Sequence, residues 1–160
     1  MALKVLFVCL GNICRSPLAH GYLEYLAKDL VAGKKLEVDS AGLLDLSEGD
    51  PPQPMSQKVA LEEGFDISMQ YSRPITCLDF KKFDLIIAMD NSVYADLKRD
   101  ASSEDANKLH LFLDIIPDRK GCNIPDPMGG SFEDFRNSFS LIKIGIVAWI
   151  QKIKADTVNF

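Results

Sequence analysis

A cysteine and an arginine stand six residues apart near the start of the chain, in the stretch "VLFVCLGNICRSP" (residues 5–17). Cys9 ends an apolar run, and Arg15 follows a short loop that contains Gly11 and Asn12. A loop between a buried strand and a helix exposes backbone N–H groups, which bind anions together with the helix dipole. The guanidinium adds paired donors that fit two oxygens of one phosphate. The pattern therefore predicts a phosphate-binding loop.

Individual residues of the loop suit this role. Gly11 can take a positive φ without strain, and Asn12 tolerates it better than most residues, so that successive amides point inward. Pro17 fits the first helical turn, where a missing N–H is no loss. We expect the phosphate to be bound by the segment Leu10, Gly11, Asn12, Ile13, Cys14, Arg15 and Ser16.

Cys9 would lie beneath the bound phosphate. The donors that hold the anion also stabilise a thiolate, and Ser16 can add a hydrogen bond to the sulfur. A thiolate below a phosphate is a nucleophile aimed at phosphorus. A strand cysteine more often only packs, and C-x5-R alone arises often by chance. The combination of strand, Gly-Asn turn, arginine, serine and helix-opening proline favours an active site.

Departure of an alkoxide or phenoxide requires a proton, so a second functional group is needed. The candidate is Asp126 in "NIPDPMGG", where Pro125 and Pro127 would fix the direction of its side chain. An Asp-Pro pair in a loop is more often a turn element than an acid. The residue pattern alone leaves both interpretations open.

Buried strands alternate with helical periodicity along the chain. The predicted strands are Val5–Val8, "KLEVDSAG" (35–42), Asp84–Met89 and "KLHLFL" (108–113). The predicted helices run from Ser16 to Gly33, over Pro54–Glu63 and Asn91–Arg99, and from Ser131 onward, with an irregular segment at Asp114–Gly130. We expect a single α/β domain over residues 1–160, with three layers: a four-stranded parallel sheet flanked by helices on both faces. Ligands in such folds bind beyond the carboxyl ends of the strands, where residues 9–16 and 114–130 lie.

Composition restricts the possible partners. A net charge of −5 and a pI near 5.0 argue against a nucleic-acid-binding surface, so any anion site must be local. We find no signal peptide and no apolar run of about 18 residues, which favours a cytoplasmic protein with no membrane partner. In that compartment the four cysteines are thiols, and their spacing does not suit a zinc site. They are Cys9, Cys14, Cys77 and Cys122. We therefore expect no metal and no cofactor.

The stretch "VLFVCLGNICRSPLAHG" resembles the signature of the low-molecular-weight protein tyrosine phosphatases, V-C-x-G-N-x-C-R-S-P. The similarity continues in "VDSAG", "DLIIAMDNS" and "IPDP", along nearly the whole chain. The resemblance implies metal-free hydrolysis of phosphotyrosine in proteins, or of small aryl phosphates, through a cysteinyl-phosphate. It implies Cys9 as nucleophile, Arg15 as phosphate ligand, and Asp126 as acid in the first step and base in the second.

The same resemblance suggests supporting residues. Ser40 is the implied partner of the Asn12 amide, and Asp90 is implied to lie beside the arginine. A helix N-cap is an equally good interpretation of Asp90. For His20 and His110 we expect structural roles.

Cys14 lies inside the loop and has two interpretations. As a redox partner it would capture the sulfenic acid that forms when peroxide oxidises the Cys9 thiolate, giving a disulfide. As a packing residue it would only fill space beneath the loop. The sequence does not decide between them, and it leaves the oligomeric state open, with a monomer as our expectation.

Several positions depart from the family pattern. Leu46 and Met128 occupy positions where many relatives carry aromatic residues, so the walls that would enclose a phenyl ring are reduced. Gln70 replaces a common histidine, and "PQPMS" (52–56) replaces "PDPRA". Substrate preference therefore does not transfer directly from relatives.

Two alternative functions deserve a test. A thiol-dependent arsenate reductase shares the fold and the loop, but it needs a relay cysteine where this chain has Met89, and neither Cys77 nor Cys122 stands at a relay position. A non-catalytic phosphate-binding relative would have lost the nucleophile or the acid. This chain retains both Cys9 and Asp126.

Overall fold

Four parallel strands form the centre of the structure, a computed structural model that describes residues 1–157. The strands are β1 (Leu3–Cys9), β2 (Leu36–Gly42), β3 (Leu85–Ala88) and β4 (Leu109–Leu111). The helices are α1 (Arg15–Leu26), α2 (Lys28–Ala32), α3 (Pro54–Glu63), α4 (Cys77–Lys82), α5 (Asn91–Asp100) and α6 (Phe132–Thr157). Short 3-10 helices cover Ala106–Lys108, Phe112–Ile115 and Pro117–Arg119.

The strand order is β2-β1-β3-β4, and every neighbouring pair is parallel. The register places Cys9 beside Gly42 and Val8 beside Ala88. The carboxyl ends of three strands therefore meet at one edge of the sheet, and the nucleophile candidate stands at the end of a central strand. The predicted four-stranded parallel sheet is confirmed.

The side chains of β1 alternate between two hydrophobic cores. Val5 and Phe7 pack in the core beneath α1, α3 and α6. Leu6 and Val8 pack in the core beneath α4 and α5. All four are fully buried, and burial of each such side chain contributes about 1.5–3 kcal/mol. The predicted three layers are confirmed, and the strand that carries Cys9 is among the best-packed parts of the protein.

Helix α6 covers one face of the sheet with the predicted apolar stripe. Its buried residues include Phe135, Phe139, Ile142, Ile146, Trp149, Ile150 and Ile153. Ser131 precedes the helix as its cap rather than opening it as predicted. Its backbone N–H donates to the Asp134 carboxylate at 2.8 Å, and the Asp134 N–H donates to the Ser131 hydroxyl at 3.3 Å. This reciprocal capping box determines where the helix begins.

The helix predicted from Ser16 to Gly33 is divided in two. Ala27, with φ −109° and ψ 28°, separates α1 from α2. The bend keeps Ala27 buried and lets Leu30 and Val31 pack against the core. Continuous helical periodicity in the sequence concealed this break because both halves bury the same kind of side chain.

Two further elements differ from the prediction. Helix α4 was not predicted, although Thr76 and Asp79 form a capping box at its start. Strand β4 ends at Leu111, two residues earlier than expected, and the chain continues as a 3-10 helix. The Trp149 indole N–H donates to the Phe112 carbonyl at 2.9 Å. That carbonyl is therefore directed to helix α6 instead of to a neighbouring strand.

Gly42 allows the end of β2 to approach the loop that follows β1. A Cβ at this position would lie 3.0 Å from the Gly11 carbonyl carbon and 3.0 Å from the Leu10 oxygen. Both atoms belong to the backbone and have little freedom to move. The Gly42 N–H also donates to the Arg73 carbonyl at 2.9 Å, which joins this point to a third segment of the chain.

Gly42→Ala should therefore displace the loop and lower the free energy of unfolding in urea by about 1–3 kcal/mol. Gly11→Ala is the matched control, since a Cβ at Gly11 would meet no atom closer than Ile13 Cγ1 at 3.8 Å. Equal unfolding free energies for the two variants would contradict this account of Gly42.

Candidate active site

Five backbone carbonyl groups of the loop 9–14 accept hydrogen bonds from outside the loop. The pairs are Leu43 N–H to Cys9 at 3.0 Å, Leu44 N–H to Leu10 at 2.9 Å, Ser72 Oγ to Gly11 at 2.9 Å, Gln53 N–H to Ile13 at 2.8 Å and Ser56 Oγ to Cys14 at 3.4 Å. Across a trans peptide the C=O and the following N–H point in opposite directions. These bonds therefore turn the N–H groups of residues 10, 11, 12, 14 and 15 toward the inside of the loop, as an anion site requires.

The bend of the loop is made at Asn12, which has a φ of 56°. Gly11, which could also take a positive φ without strain, does not adopt one. The reason is that the Asn12 side chain stabilises its own conformation. Its Oδ1 accepts from the Arg73 N–H at 3.1 Å, and its Nδ2 donates to Ser16 at 2.8 Å and to Ser40 at 3.0 Å.

Cys9 is 2% exposed and its sulfur lies at the floor of the loop. The Asn12 backbone N–H donates to Sγ at 3.2 Å, and the Ser16 hydroxyl lies 3.0 Å from the same sulfur. The first turn of α1 begins at Arg15, so the helix dipole also acts on this region. The Cys9 sulfur is thus held between the Asn12 N–H and the Ser16 hydroxyl at the start of α1.

The Arg15 guanidinium is buried, and Asp90 compensates its charge. Arg15 Nη1 donates to Asp90 Oδ2 at 2.6 Å and to the Ile124 carbonyl at 2.9 Å. Burial disfavours the charged form, but negative charge at Cys9 and the Asp90 hydrogen bond raise the pKa of Arg15. Within residues 1–157, Arg15 Nε is a buried donor with no acceptor, which leaves it available to a phosphate oxygen.

Asp90 combines the two roles that the sequence left open. Its Oδ1 accepts from the Val93 N–H at 2.8 Å and caps α5, while its Oδ2 binds Arg15. One carboxylate thus fixes both the start of a helix and the position of the guanidinium.

A pocket of about 160 Å³ opens above Cys9. Its lining includes Leu10, Gly11, Ile13, Cys14 and Arg15 from the loop, Leu44, Leu46 and Ser47 after β2, and Asp126 and Met128. The Asp126 Oδ2 lies 3.7 Å from Arg15 Nη2, and its Oδ1 accepts from the Met128 N–H at 3.1 Å. Asp126 is thus placed at the mouth of the pocket that Cys9 closes from below.

The walls of the pocket are aliphatic. Leu44, Leu46 and Met128 line it, and Leu46 is 84% exposed. Sequence analysis identified Leu46 and Met128 as wall positions, but it missed Leu44 and Ser47. Both lie in the segment that follows β2, where the exposed apolar residues Leu44 and Leu46 come soon after a buried strand, a signal that could have indicated this wall.

Cys14 is buried and its thiol donates to Met128 Sδ at 3.7 Å. Burial, together with the negative charges at Cys9 and Asp126, raises the pKa of Cys14 to about 12. At neutral pH it is therefore a protonated thiol in contact with the pocket wall. A disulfide with Cys9 after oxidation stays a prediction.

Arg73 and its two carboxylate partners support the loop from behind Asn12, and nothing in the sequence had indicated them. Arg73 donates to Asp39 at 3.0 Å and to Asp79 at 3.0 Å, and its backbone N–H holds Asn12. Burial disfavours the Asp79 carboxylate, but hydrogen bonds from Arg73 and Thr76 keep the pKa of Asp79 below its usual value. An Arg-Pro pair carries no spacing signal, so nothing in the sequence marked Arg73.

Residues 1–157 contain neither a candidate metal cluster nor a membrane-spanning helix. No cluster of three or more His, Cys, Asp or Glu side chains there could hold a metal ion. No helix in the same range has the length and hydropathy needed to cross a bilayer.

Residues 4–159 match the family model described as low molecular weight phosphotyrosine protein phosphatase. The chain belongs to this family. Among curated relatives, the low molecular weight protein-tyrosine-phosphatase YfkJ of Bacillus subtilis (strain 168) is 37% identical over 160 residues, covering 95% of this chain and 98% of the relative.

Two solved structures extend the similarity of this phosphatase family member to three dimensions. A protein tyrosine phosphatase from Entamoeba histolytica, with Hepes in its active site, has a TM-score of 0.90 at 32% identity, covering 97% of this chain and 99% of that one. DARP, described as a Drosophila arginine phosphatase, has a TM-score of 0.84 at 31% identity, covering 95% of this chain and 98% of that one. The same fold is thus found in a protein described as a tyrosine phosphatase and in one described as an arginine phosphatase.

The two roles of Asp90 can be separated by substitution. Asp90→Ser retains a good N-cap but removes the partner of the buried guanidinium, so we expect a loss of about 3 kcal/mol in unfolding free energy. Asp90→Asn also keeps the cap through its single oxygen, but its NH₂ group then faces the Arg15 donors, so we expect a similar loss. Inorganic phosphate affinity, measured by titration calorimetry, should fall in both variants. Wild-type stability and phosphate affinity in Asp90→Ser would reduce Asp90 to a helix cap.

Proposed function

We propose that the protein hydrolyses phosphotyrosine or other aryl phosphate monoesters through a cysteinyl-phosphate intermediate, without a metal. The observation that supports this most is the convergence of Cys9, Arg15 and Asp126 on one pocket at the end of β1. A nucleophile, an oxyanion ligand and a proton donor are the three groups that such a reaction needs.

In the first step the phosphate dianion binds to the inward N–H groups and to Arg15. The Cys9 thiolate attacks phosphorus as the bond to the leaving oxygen breaks, and Asp126 transfers its proton to that oxygen. The products are an alcohol or phenol, a phosphorylated cysteine and an ionised Asp126. The position of Asp126 at the mouth of the pocket, opposite Cys9, suits this transfer.

In the second step a water molecule attacks the phosphorylated cysteine. Asp126 accepts a proton from the water, the P–S bond breaks, and inorganic phosphate leaves. The Cys9 thiolate is the leaving group of this step, so the Asn12 N–H and the Ser16 hydroxyl would stabilise it as it departs.

The pocket walls favour an aryl ester. DARP shows that the fold alone does not select the phosphorylated residue. A charged guanidinium group would lose solvation between Leu44, Leu46 and Met128, whereas a phenyl ring would not. Because these walls are aliphatic rather than aromatic, we propose that ring stacking contributes little and that shape and burial set the preference.

The alternatives find less support. An arsenate reductase would need a relay thiol near Met89, which is fully buried at the end of β3. Cys77 and Cys122 are exposed, and neither lines the pocket. A protein that only binds phosphate would not need Asp126 at the pocket mouth. The proposed chemistry also needs Cys9 reduced, which fits a cytoplasmic location.

The proposal is tested by the fate of the Cys9 intermediate. Wild type, quenched in acid during turnover of an aryl phosphate in the presence of a metal chelator, should carry one phosphoryl group on Cys9 in a mass spectrum. Cys9→Ser should show no turnover yet bind inorganic phosphate, because the amides and Arg15 remain. Metal-free turnover by Cys9→Ser would refute the mechanism.

The role assigned to Asp126 predicts a dependence on the leaving group. Asp126→Asn should lower kcat/KM for phosphotyrosine by about 100-fold or more, since a phenoxide leaves poorly without a proton. An activated aryl ester should lose far less. Asp118→Asn, an exposed change in the preceding 3-10 helix, is the control and should affect neither substrate. Equal losses on both esters would make Asp126 a structural residue.

A further inference from the structure

A chain of hydrogen bonds connects the Cys9 sulfur with a histidine on the outer side of α1. It runs from Cys9 to Ser16 (3.0 Å), Asn12 (2.8 Å), Ser40 (3.0 Å), His20 (3.2 Å) and Glu24 (3.3 Å). Sequence analysis suggested only a structural role for His20.

The amide of Asn12 has one possible orientation. Its Oδ1 accepts from the Arg73 backbone N–H at 3.1 Å, so its NH₂ group faces Ser16 and Ser40. An amide NH₂ has two hydrogens and no acceptor lone pair. It therefore donates to both hydroxyl oxygens, and neither serine can donate to it.

Each serine must direct its own hydrogen elsewhere. For Ser16 the acceptor is the Cys9 sulfur. For Ser40, which is 5% exposed, the acceptor within the described residues is His20 Nδ1. A buried hydroxyl without an acceptor is costly, so the two acceptors hold the two serines in place on opposite sides of Asn12.

Glu24 determines which nitrogen of His20 can accept. His20 Nε2 lies 3.3 Å from Glu24 Oε1, and a carboxylate favours the N–H on the nitrogen that faces it. The other nitrogen, Nδ1, then carries the lone pair that Ser40 requires. The histidine side chain is 13% exposed, so its orientation is set by these two contacts and by packing on α1.

We infer that His20, oriented by Glu24, is a positioning residue for the nucleophile. It accepts a hydrogen bond from the Ser40 hydroxyl, and Ser40 in turn holds the Asn12 amide. Asn12 then positions both donors to the Cys9 sulfur, its own backbone N–H and the Ser16 hydroxyl. Asn12 acts on the sulfur directly through its backbone N–H at 3.2 Å and indirectly through Ser16. Loss of the Nδ1 acceptor would release Ser40 and loosen the left-handed bend at Asn12. The inference deepens the proposed function, on which it rests for the role of Cys9.

The reactivity of Cys9 toward iodoacetamide measures this effect without any substrate. The background carries Cys77→Ser and Cys122→Ser, which removes the two exposed thiols. The rate is measured at neutral to mildly alkaline pH, where a neutral imidazole keeps the lone pair on Nδ1, and it reports the reactivity of the Cys9 sulfur. His20→Phe keeps a ring for packing but has no acceptor, and we expect about a fivefold lower alkylation rate and kcat, the equivalent of one hydrogen bond.

His20→Asn is the rescue variant, because Asn Oδ1 can occupy the place of Nδ1 and accept from Ser40. We expect its alkylation rate and kcat to stay within about twofold of wild type, well inside the effect of one hydrogen bond. His110→Phe is the matched control for losing a histidine. His110 lies on β4 and packs on Trp149 of α6, so this change should leave both rates unchanged. Thermal unfolding of every variant shows whether it is folded at the assay temperature.

Two outcomes would overturn the inference: a wild-type alkylation rate in His20→Phe, or equal losses in His20→Phe and His20→Asn. Because alkylation needs no turnover, failure of the proposed hydrolysis would appear separately, as an inactive wild type whose Cys9 still responds to His20.

Discussion

The loop 9–14, our proposed phosphate site, depends on hydrogen bonds that its carbonyl groups receive from outside. Left to itself, a tight turn directs carbonyl oxygens and amide hydrogens to both sides, and a ring of oxygens would repel an anion. Here segments after β2, at the start of α3 and before α4 take up the carbonyl groups, so that the amide hydrogens face one centre. A chain with a net charge of −5 can thus form a local site for a dianion. The donors are in position before any anion arrives, which is the condition for electrostatic preorganisation.

The buried guanidinium of Arg15 imposes a second constraint. A cation removed from water is stable only with a partner, and Asp90 and the Ile124 carbonyl supply the contacts. These partners lie at the end of β3 and at the entrance to the segment that carries Asp126. The Arg15 side chain therefore links the loop 9–14 to the segment that carries Asp126. Its contacts restrict its rotamers, so little conformational freedom remains to be lost when phosphate binds.

The parts of the site that residue types and spacing alone indicated are local in the chain, whereas Asp90 and Ser40 came from the family resemblance, which also decided the role of Asp126. Cys9 and Arg15 belong to one strand–loop–helix unit, whose residue types and spacing already indicate their chemistry. Arg73 and His20 could not be identified in this way, because each acts through a contact that only the folded chain creates. The missed fold details have similar causes. The helix break at Ala27 and the early end of β4 follow from tertiary packing and a hydrogen bond from α6, which leave the local pattern unchanged.

The division of the pocket between a buried floor and exposed walls has an evolutionary consequence. Cys9 and Arg15 are buried, and most substitutions at buried positions lower the stability of the fold sharply. Leu46 and Met128 project from surface segments, where exchanges usually cost less than about 0.5 kcal/mol. Mutational drift can therefore sample new wall residues at nearly constant stability while selection preserves the floor. A lineage with this architecture can change its preference among phosphate esters without passing through poorly folded ancestors.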